Sequence, residues 1–395
     1  MWIARDIHAR VQRLAAERPV VVLTGARQAG KTSLLRHQFP QHRFVTLDLP
    51  ADAALAEDAP AEFFARWPAP LIVDEVQYAP GLFRHLKADV DAHRRDKGRF
   101  LLTGSQKLTL LEHVSESLAG RAAVLELETL SWREIHAAHP DVRIEDVLLR
   151  GGYPELWAER TLDAAEYYRS YLATYLERDV RSLVNVGSLR DFERFVRACA
   201  LRSAQLLNKA ELGRDVGVSG PTANAWLSAL IASNQVFLLE PWFSNRTRSL
   251  VKTPKLYWGD VGMLVWLLGI RDADELARSP YAGAVWETFA FAELRKRRAA
   301  TGEAGTLAYY RDRDKEADFV IHRGGRFELM EAKWTASPTA RDADGLAVVA
   351  ERLGAGHVTA RRLLCRAPAS YPVGGATATG PDAPWFDGDE RPAGE

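Results

Sequence analysis

The chain has 395 residues, more than one ordinary hydrophobic core can organise, so its length predicts two or three domains. Its 47% hydrophobic and 26% charged residues are typical of a soluble globular protein, and Lys plus Arg equals Asp plus Glu at 52 each. The balanced charge means that any nucleic-acid surface must be a local patch. Two cysteines exclude a disulfide framework and a cysteine zinc site. We expect a cytoplasmic protein without a membrane partner, because a membrane-length apolar run and a signal peptide are both missing from the sequence.

Residues 20–38 have the pattern of a strand, a glycine-bounded loop and a helix. The run from Val20 to Leu23 predicts a buried strand, and the segment GARQAGKT that follows Thr24 fits G-x-x-x-x-G-K-[ST]. Its glycines let backbone N–H groups approach an anion, to which the helix N-terminus adds its positive dipole end. We therefore expect ATP and Mg²⁺ here, with Lys31 on the β- and γ-phosphates and Thr32 on the metal. The predicted nucleotide-binding residues are Gly25, Ala26, Arg27, Gln28, Ala29, Gly30, Lys31, Thr32 and Ser33.

Two later apolar runs end in polar residues, as strands of a parallel sheet do beside a ligand. The run from Leu71 ends in Asp74 and Glu75, and we predict that Asp74 joins the Mg²⁺ shell while Glu75 polarises the attacking water. The strand that begins at Phe100 ends in Ser105 and Gln106. Either side chain is a candidate for contact with the γ-phosphate or the water, and a simple strand-ending turn is an equal alternative.

Arg121 follows a helix that is predicted to end near Leu118. It is a candidate arginine finger, acting within the chain or on a neighbouring subunit. A surface cation explains the residue equally well.

Five segments together resemble a family of bacterial and archaeal AAA-superfamily ATPases that carry a C-terminal domain of unknown function. They are GARQAGKTSLL, LIVDEVQ, LLTGSQ, SLAGRAAVLEL and GGYPEL. The resemblance covers the chain from about Ile3 to about Cys365. It implies a nucleotide-dependent molecular switch that forms a homo-oligomer, and it names no biological pathway.

The middle of the chain predicts a winged helix-turn-helix. A tight turn at Gly151–Pro154 marks a junction, and a long helix is expected from Ala165 to Val186. Ser219 is a natural N-cap for the second helix of the motif. The remaining predicted elements are helices at Asp191–Ala204 and Asn208–Val216, a helix ending near Ala232, and strands at Val236–Leu239 and Lys255–Trp258.

This motif has little positive charge on its second helix, because the segment from Ser219 to Gln235 lacks Lys and Arg. Contact with nucleic-acid phosphates requires such residues. Basic residues in or near the wing could supply the positive charge for such contact, namely Arg246, Arg248, Lys252 and Lys255. A packing or subunit-contact role is slightly favoured over DNA reading.

The C-terminal part predicts a helix, Ala284–Arg298, followed by a β-hairpin. Asp318 on its first strand and Glu331-x-Lys333 on its second match the PD-(D/E)xK nuclease pattern. Alternate residues of a strand share a face, so these side chains can converge. Asp318 and Glu331 are the predicted Mg²⁺ ligands, Glu287 on the helix completes the shell, and Lys333 orients the nucleophile or stabilises the developing anion.

The family resemblance also implies a restriction-endonuclease-like domain in this region. A charged β-hairpin without activity remains the alternative. The basic runs Arg295–Arg298 and Arg311–Arg313 offer phosphate-contacting charge.

The predicted fold class is α/β. We expect a parallel-sheet P-loop NTPase domain at 1–140, a helical and winged-helix domain at 141–276, an α/β restriction-endonuclease-like domain at 277–366, and a disordered tail at 367–395. The predicted function is an ATPase whose nucleotide state controls a Mg²⁺-dependent nuclease acting on nucleic acid, with DNA favoured over RNA. The alternative is a regulatory or scaffold ATPase whose nuclease-like domain binds or oligomerises without cleavage.

Overall fold

The computed structural model describes residues 1–105, 107–175, 189–243, 253–312 and 315–382, without the side chains of 107–109 and 175. Several predictions therefore lie outside the described residues: the role of Gln106, the long helix beyond residue 175, and the phosphate contacts of Arg246, Arg248, Lys252 and Arg313. We refer below to the first unit (residues 1–140), the middle unit (141–276) and the C-terminal unit (277–382). None of the helices in the described ranges is both long and apolar enough to cross a membrane.

The first unit is built on a five-stranded parallel sheet of order β2-β3-β4-β1-β5. This confirms the predicted P-loop α/β fold. The edge strand β5 was not predicted, because its residues are only partly buried and Val124 is exposed, which hides the apolar run. The strands are β1 (Val20–Thr24), β2 (Arg43–Thr46), β3 (Leu71–Asp74), β4 (Phe100–Gly104) and β5 (Ala122–Glu126).

Apolar side chains cover both faces of this sheet. One core packs around Val73 and Leu102, and another around Ile72 and Leu101, which alternate with them along the same strands. The helices of the unit are His8–Glu17, Lys31–Gln38, Pro50–Asp58, Pro60–Arg66, Leu82–Ala92, Lys107–Ser117 and Trp132–Ala138, with a short 3₁₀ turn at Val76–Tyr78.

The middle unit contains the predicted order of two helices followed by two strands. Asn208 and Ser219 cap the two helices by accepting hydrogen bonds from backbone N–H groups. The strands β6 (Gln205–Leu206), β7 (Val236–Leu239) and β8 (Lys255–Trp258) form an antiparallel sheet with β8 in the centre. The helices are Ile144–Arg150, Pro154–Ala158, Ala164–Tyr175, Leu189–Ala200, Lys209–Val216, Gly220–Ala232, Val261–Leu267 and Ala273–Arg278.

The C-terminal unit is a mixed sheet of order β13-β14-β12-β11-β10-β9 with helices Ala282–Thr301 and Ala340–Leu353 and a 3₁₀ turn at Ala355–His357. Its first strands, β9 (Thr306–Asp312), β10 (Lys315–Arg323) and β11 (Arg326–Ala332), are antiparallel, whereas β12 (Val358–Leu364) runs parallel to β11. The prediction of disorder from residue 367 is wrong for β13 (Tyr371–Val373) and β14 (Ala376–Thr379). Strand β14 pairs with β12, and its small residues Ala376 and Ala378 are buried, so periodicity was too weak to mark it.

The middle and C-terminal units share one hydrophobic core, which also includes Leu130, Trp132 and Ile135 of the first unit. Buried residues of both units, among them Trp226 and Phe319, belong to the same continuous cluster. Trp286 is fully buried in this cluster and donates a hydrogen bond from Nε1 to the Leu364 carbonyl oxygen at 2.8 Å. The predicted boundary at 276/277 therefore crosses a packed interior, and we expect the two units to move together.

The buried carboxylate of Asp260 joins the Gly-Gly turn to helix Val261–Leu267 within the middle unit. It accepts hydrogen bonds from Gly152 N at 2.8 Å, from the Tyr168 hydroxyl at 2.8 Å, and from the N–H groups of Gly262 and Met263 at 3.1 Å each. The last two bonds cap helix Val261–Leu267. A side chain at Gly152 would meet the Leu130 carbonyl oxygen at 2.5 Å, so only glycine fits there.

Replacing Asp260 with alanine is expected to lower the free energy of unfolding by about 3 kcal/mol, because the helix loses its cap and a buried N–H loses its acceptor. The matched control is Asp272→Ala. Asp272 is an exposed N-cap that accepts one bond, from Glu275 N at 2.8 Å. Its loss should cost only about 1 kcal/mol. Urea denaturation of the full chain measures both, and equal losses would contradict the joining role of Asp260.

Candidate functional site

The loop after β1 has the backbone conformation that a phosphate-binding loop requires. Gly25 has φ +144°, and a Cβ atom there would lie 2.1 Å from the Leu127 carbonyl oxygen. Gly30 has φ +93°, and Gln28 also lies in the left-handed region with φ 59°. Left-handed conformations of residues other than glycine cluster at functional sites. Helix Lys31–Gln38 begins directly after Gly30, so its first N–H groups face the loop.

Lys31 is buried, and its ammonium lies inside the loop. Its Nζ donates hydrogen bonds to the carbonyl oxygens of Gly25 at 3.0 Å and Ala26 at 2.9 Å. The prediction that the lysine and the glycine-bounded loop form one cationic cradle agrees with this geometry. The positive helix end and the ammonium both favour a bound anion here.

The predicted magnesium ligands of the first unit lie together. The hydroxyl of Thr32 donates to Asp74 Oδ1 at 2.5 Å, and the hydroxyl of Thr103 donates to the same oxygen. Thr103 was missed by sequence reasoning, although it stands on the strand next to Asp74. Hydroxyl and carboxylate oxygens are the ligands that Mg²⁺ prefers, so Thr32 and Asp74 fit this ion.

Glu75 directly follows β3 in the left-handed conformation, with φ 54°. Its N–H donates to Thr103 Oγ1 at 3.2 Å, which fixes the backbone. Its carboxylate accepts a hydrogen bond from the hydroxyl of Ser105 at 3.2 Å and another from the side-chain amide of Gln77. Ser105 thus holds Glu75, and Gln77 is a further positioning residue that the sequence pattern did not single out.

Arg121 lies at the N-terminal end of the parallel strands, whereas the phosphate loop follows their C-terminal end. It is therefore too far away to act on the phosphate loop of its own chain. It immediately precedes β5, which pairs in parallel with β1 from Val20 opposite Ala122. The length of β1 therefore separates it from the loop, roughly 15 Å. Its guanidinium forms a two-bond ion pair with Asp91, at 2.8 and 2.9 Å. Action within the chain is wrong on this geometry, while action on a neighbouring subunit stays a prediction.

Arg5 anchors the phosphate loop, a role that the sequence did not predict. Its guanidinium donates to the carbonyl oxygens of Ala29 at 2.9 Å and Glu128 at 2.6 Å, and to the carboxylate of Glu134 at 3.2 Å. Both side chains of the ion pair are buried. A single arginine in an amphipathic segment carries no sequence signal for such a role.

A cavity of about 590 Å³ opens beside the phosphate loop between the first and middle units. The Tyr167 hydroxyl of the middle unit donates to Gln28 Oε1 of the loop at 2.7 Å. The walls come from both units, with Gly30 and Thr32 on one side and Pro154, Glu155 and Thr174 on the other. A ligand in this cavity would therefore touch both units.

The predicted acidic residues of the C-terminal unit converge, but on a lysine of the middle unit. Lys255 Nζ lies 2.9 Å from Glu287 Oε1, 2.6 Å from Glu316 Oε1 and 3.0 Å from Asp318 Oδ1. The side chain of Lys255 is only 4% exposed. The proposed phosphate contact of Lys255 is wrong for this reason, and Glu316 is a cluster member that the PD-(D/E)xK spacing did not include.

The other predicted residues flank this acidic cluster. Lys333 Nζ lies 2.9 Å from Glu331 Oε1. Burial, followed by the charge of Asp318, raises the pKa of Glu287 to about 8 and that of Glu331 to about 7. Burial alone would lower the pKa of Lys255, but its carboxylate partners, Asp318 first among them, outweigh burial and raise it.

The acidic cluster does not fit a magnesium ion in this arrangement. The Lys255 ammonium occupies the point where the carboxylates meet, and its three N–H donors match three carboxylates. Within the described ranges, there is no group of three or more His, Cys, Asp or Glu side chains arranged to hold a metal ion. The predicted metal roles of Asp318 and Glu331 therefore require a different position of Lys255.

The basic run on helix Ala282–Thr301 contacts the first unit. Arg295 pairs with the carboxylate of Glu128, and Lys296 Nζ donates to the Leu130 carbonyl oxygen at 2.8 Å. Because both side chains already contact the first unit, they are poorly placed to bind phosphates, contrary to the prediction.

Three family models match successive parts of the chain. A model of the AAA domain matches residues 17–136, and two models of domains of unknown function, DUF8612 and DUF4143, match 142–274 and 282–380. The uncharacterized proteins Mb2031c of Mycobacterium bovis and Rv2008c of Mycobacterium tuberculosis are each 36% identical over 339 residues, 85% of this chain and 75% of theirs. A Walker-type ATPase of Pyrococcus abyssi, Paby2304, has a TM-score of 0.45 at 17% identity, covering 67% of this chain and 95% of its own.

The parallel sheet, the phosphate loop and the match to the AAA domain define a P-loop AAA-type ATPase. The chain belongs to the same family as the two mycobacterial proteins.

Changing Arg5 to lysine should weaken ATP binding about tenfold, because one ammonium cannot reproduce the fork that ties the loop to Glu128 and Glu134. Calorimetric titration with an ATP analogue measures the affinity. Arg13→Lys is the matched control, since Arg13 pairs with Glu17 at an exposed position. Unchanged affinity in Arg5→Lys would leave Arg5 a purely structural role.

Proposed function

We propose that the chain is an ATP-driven switch whose nucleotide state sets the position of the middle unit against the first. The observation that carries this proposal is the cavity beside the phosphate loop, because its walls come from both units. A nucleotide bound there would change the contacts between them. The C-terminal unit shares a core with the middle unit and would follow its movement.

At the nucleotide, each residue has a distinct task in this proposal. Lys31 and the first N–H groups of its helix hold the β- and γ-phosphate oxygens. Thr32 and Asp74 hold Mg²⁺, which supplies positive charge against those oxygens when bound. Glu75, held by Ser105, orients and polarises the attacking water.

Helix Ala282–Thr301 is the route by which this state would reach the acidic cluster. Glu287 belongs to the cluster, and Glu293 of the same helix accepts a hydrogen bond from Trp132 N of the first unit at 3.0 Å. The two residues are six positions apart on the helix, about 9 Å along its axis. A shift of the first unit would therefore act directly on the cluster.

Lys31→Ala should reduce ATP turnover at least about 10²-fold and should weaken ATP binding, because the cradle loses its ammonium. Glu75→Gln should reduce turnover by a similar factor yet retain ATP binding, since it changes only the group that polarises water. Steady-state phosphate release and nucleotide titration separate the two effects. Lys87→Ala, an exposed lysine of the same unit, is the control. Turnover that persists in Lys31→Ala would overturn the ATPase site.

A second candidate function is Mg²⁺-dependent cleavage of nucleic acid, with DNA favoured over RNA. It is supported by one open cleft of about 630 Å³ lined by Glu287, Asp318, Glu331 and Lys333. The restriction-endonuclease-like arrangement and the winged helix belong to the same proposal. The position of Lys255 favours the switch, whose nuclease-like unit binds or assembles without cleavage.

The unmodified protein is expected to hydrolyse ATP without cutting single-stranded or double-stranded DNA or RNA in the presence of Mg²⁺, because Lys255 fills the acidic cluster. Gel analysis of a substrate panel, with and without ATP, measures this. Cleavage that Asp318→Asn removes while ATP turnover persists would establish the nuclease instead. Sizing with and without ATP in the same experiment tests the proposed homo-oligomer.

A further inference from the structure

The acidic cluster contains an internal cation that is built into another part of the fold. Lys255 is the first residue of β8, the central strand of the middle sheet, whereas Glu316 and Asp318 stand on β10. Strand β8 is bonded on both sides, to β6 and β7. Backbone pairing therefore fixes the position from which the Lys255 side chain extends, and that side chain is buried against the carboxylates.

The surroundings of Lys255 provide a complete set of partners. The ammonium has three N–H donors, and three carboxylates receive them at 2.6 to 3.0 Å. The ring of Tyr309 lies 5.6 Å from Nζ, within the range of a cation–π contact. The Tyr257 hydroxyl donates to Glu287 Oε1 at 2.6 Å and fixes the orientation of that carboxylate.

The distances around Lys255 Nζ are those of hydrogen bonds to an ammonium. Carboxylate oxygens approach Mg²⁺ at about 2.0–2.1 Å and Ca²⁺ at about 2.3–2.6 Å. Here the oxygens of Glu287 and Asp318 stand 2.9 and 3.0 Å from nitrogen, which are hydrogen-bond lengths. Asp318 Oδ2 is also engaged, since it accepts from Ala332 N at 3.0 Å.

We propose that Lys255 takes the place of a metal ion in this cluster, so that the carboxylates join the C-terminal unit to the middle unit and accept a divalent cation only when the lysine is removed. The cluster is then a set of buried ion pairs that connects the middle and C-terminal units. Removing one partner of a buried charge set is strongly destabilising because the other charges are left uncompensated. A divalent cation could restore the compensation in a variant that lacks the lysine.

The experiment measures Mn²⁺ binding by electron paramagnetic resonance on the full chain without nucleotide, together with thermal unfolding. Because nucleotide is absent, its result is independent of the proposed ATP-driven switch. In the unmodified protein, we expect no Mn²⁺ at the acidic cluster, so Asp318→Asn should leave Mn²⁺ binding unchanged. Lys255→Met should bind Mn²⁺ at least about tenfold more tightly than the unmodified protein, and Mn²⁺ should raise its melting temperature. Adding Asp318→Asn to Lys255→Met should abolish both effects.

Lys209→Met is the matched control, because Lys209 is an exposed lysine of the same unit and its loss should create no site. Two results overturn the proposal. One is an Mn²⁺ site in the unmodified protein that Asp318→Asn removes. The other is a folded Lys255→Met variant without Mn²⁺ binding. The first result needs no change at Lys255, so the test stands even if Lys255→Met fails to fold.

Discussion

A charged side chain taken out of water must find its full set of partners within the protein, and this constraint shapes the main junctions of the chain. Arg5 meets the phosphate loop and the carboxylate of Glu134. Asp260 receives the N–H of Gly152 and the hydroxyl of Tyr168. Lys255 meets the carboxylates of the C-terminal unit. Each charge fixes at least two segments, because no single segment could compensate it alone.

These junctions connect all three units. The middle and C-terminal units are tied by a shared core and by the buried ammonium of Lys255, so separating them would expose both apolar surface and charge. The first and middle units meet across an open cavity, with the bond between Tyr167 and Gln28 at its edge. Beyond this cavity the boundary is packed, because Leu130, Trp132 and Ile135 of the first unit belong to the shared core. In the proposed switch, a nucleotide in the cavity would therefore act on contacts that all three units share.

The parts of the fold and site that the sequence predicted are those with a local pattern. Gly25, Lys31 and Thr32 lie within one loop, and their spacing alone implies phosphate binding. Asp74 and Glu75 were found because ligands collect where parallel strands end. Strand β14 escaped prediction because small residues give a weak hydrophobic pattern. The role of Arg121 within its own chain failed because Arg121 precedes a strand parallel to β1 and so lies at the opposite end of the sheet from the phosphate loop.

The sequence by itself determined the phosphate loop, strands β1 to β4 of the first unit, and the acidic residues of the C-terminal hairpin. All of these depend on periodicity or spacing within one element or one turn. Only the tertiary structure decided that Arg5 holds the loop and that Lys255 fills the acidic cluster. Arg5 and Glu134 are 129 positions apart, and Lys255 and Asp318 are 63 apart. A charge and its partners at such separations are chosen by packing and desolvation, which no local pattern records.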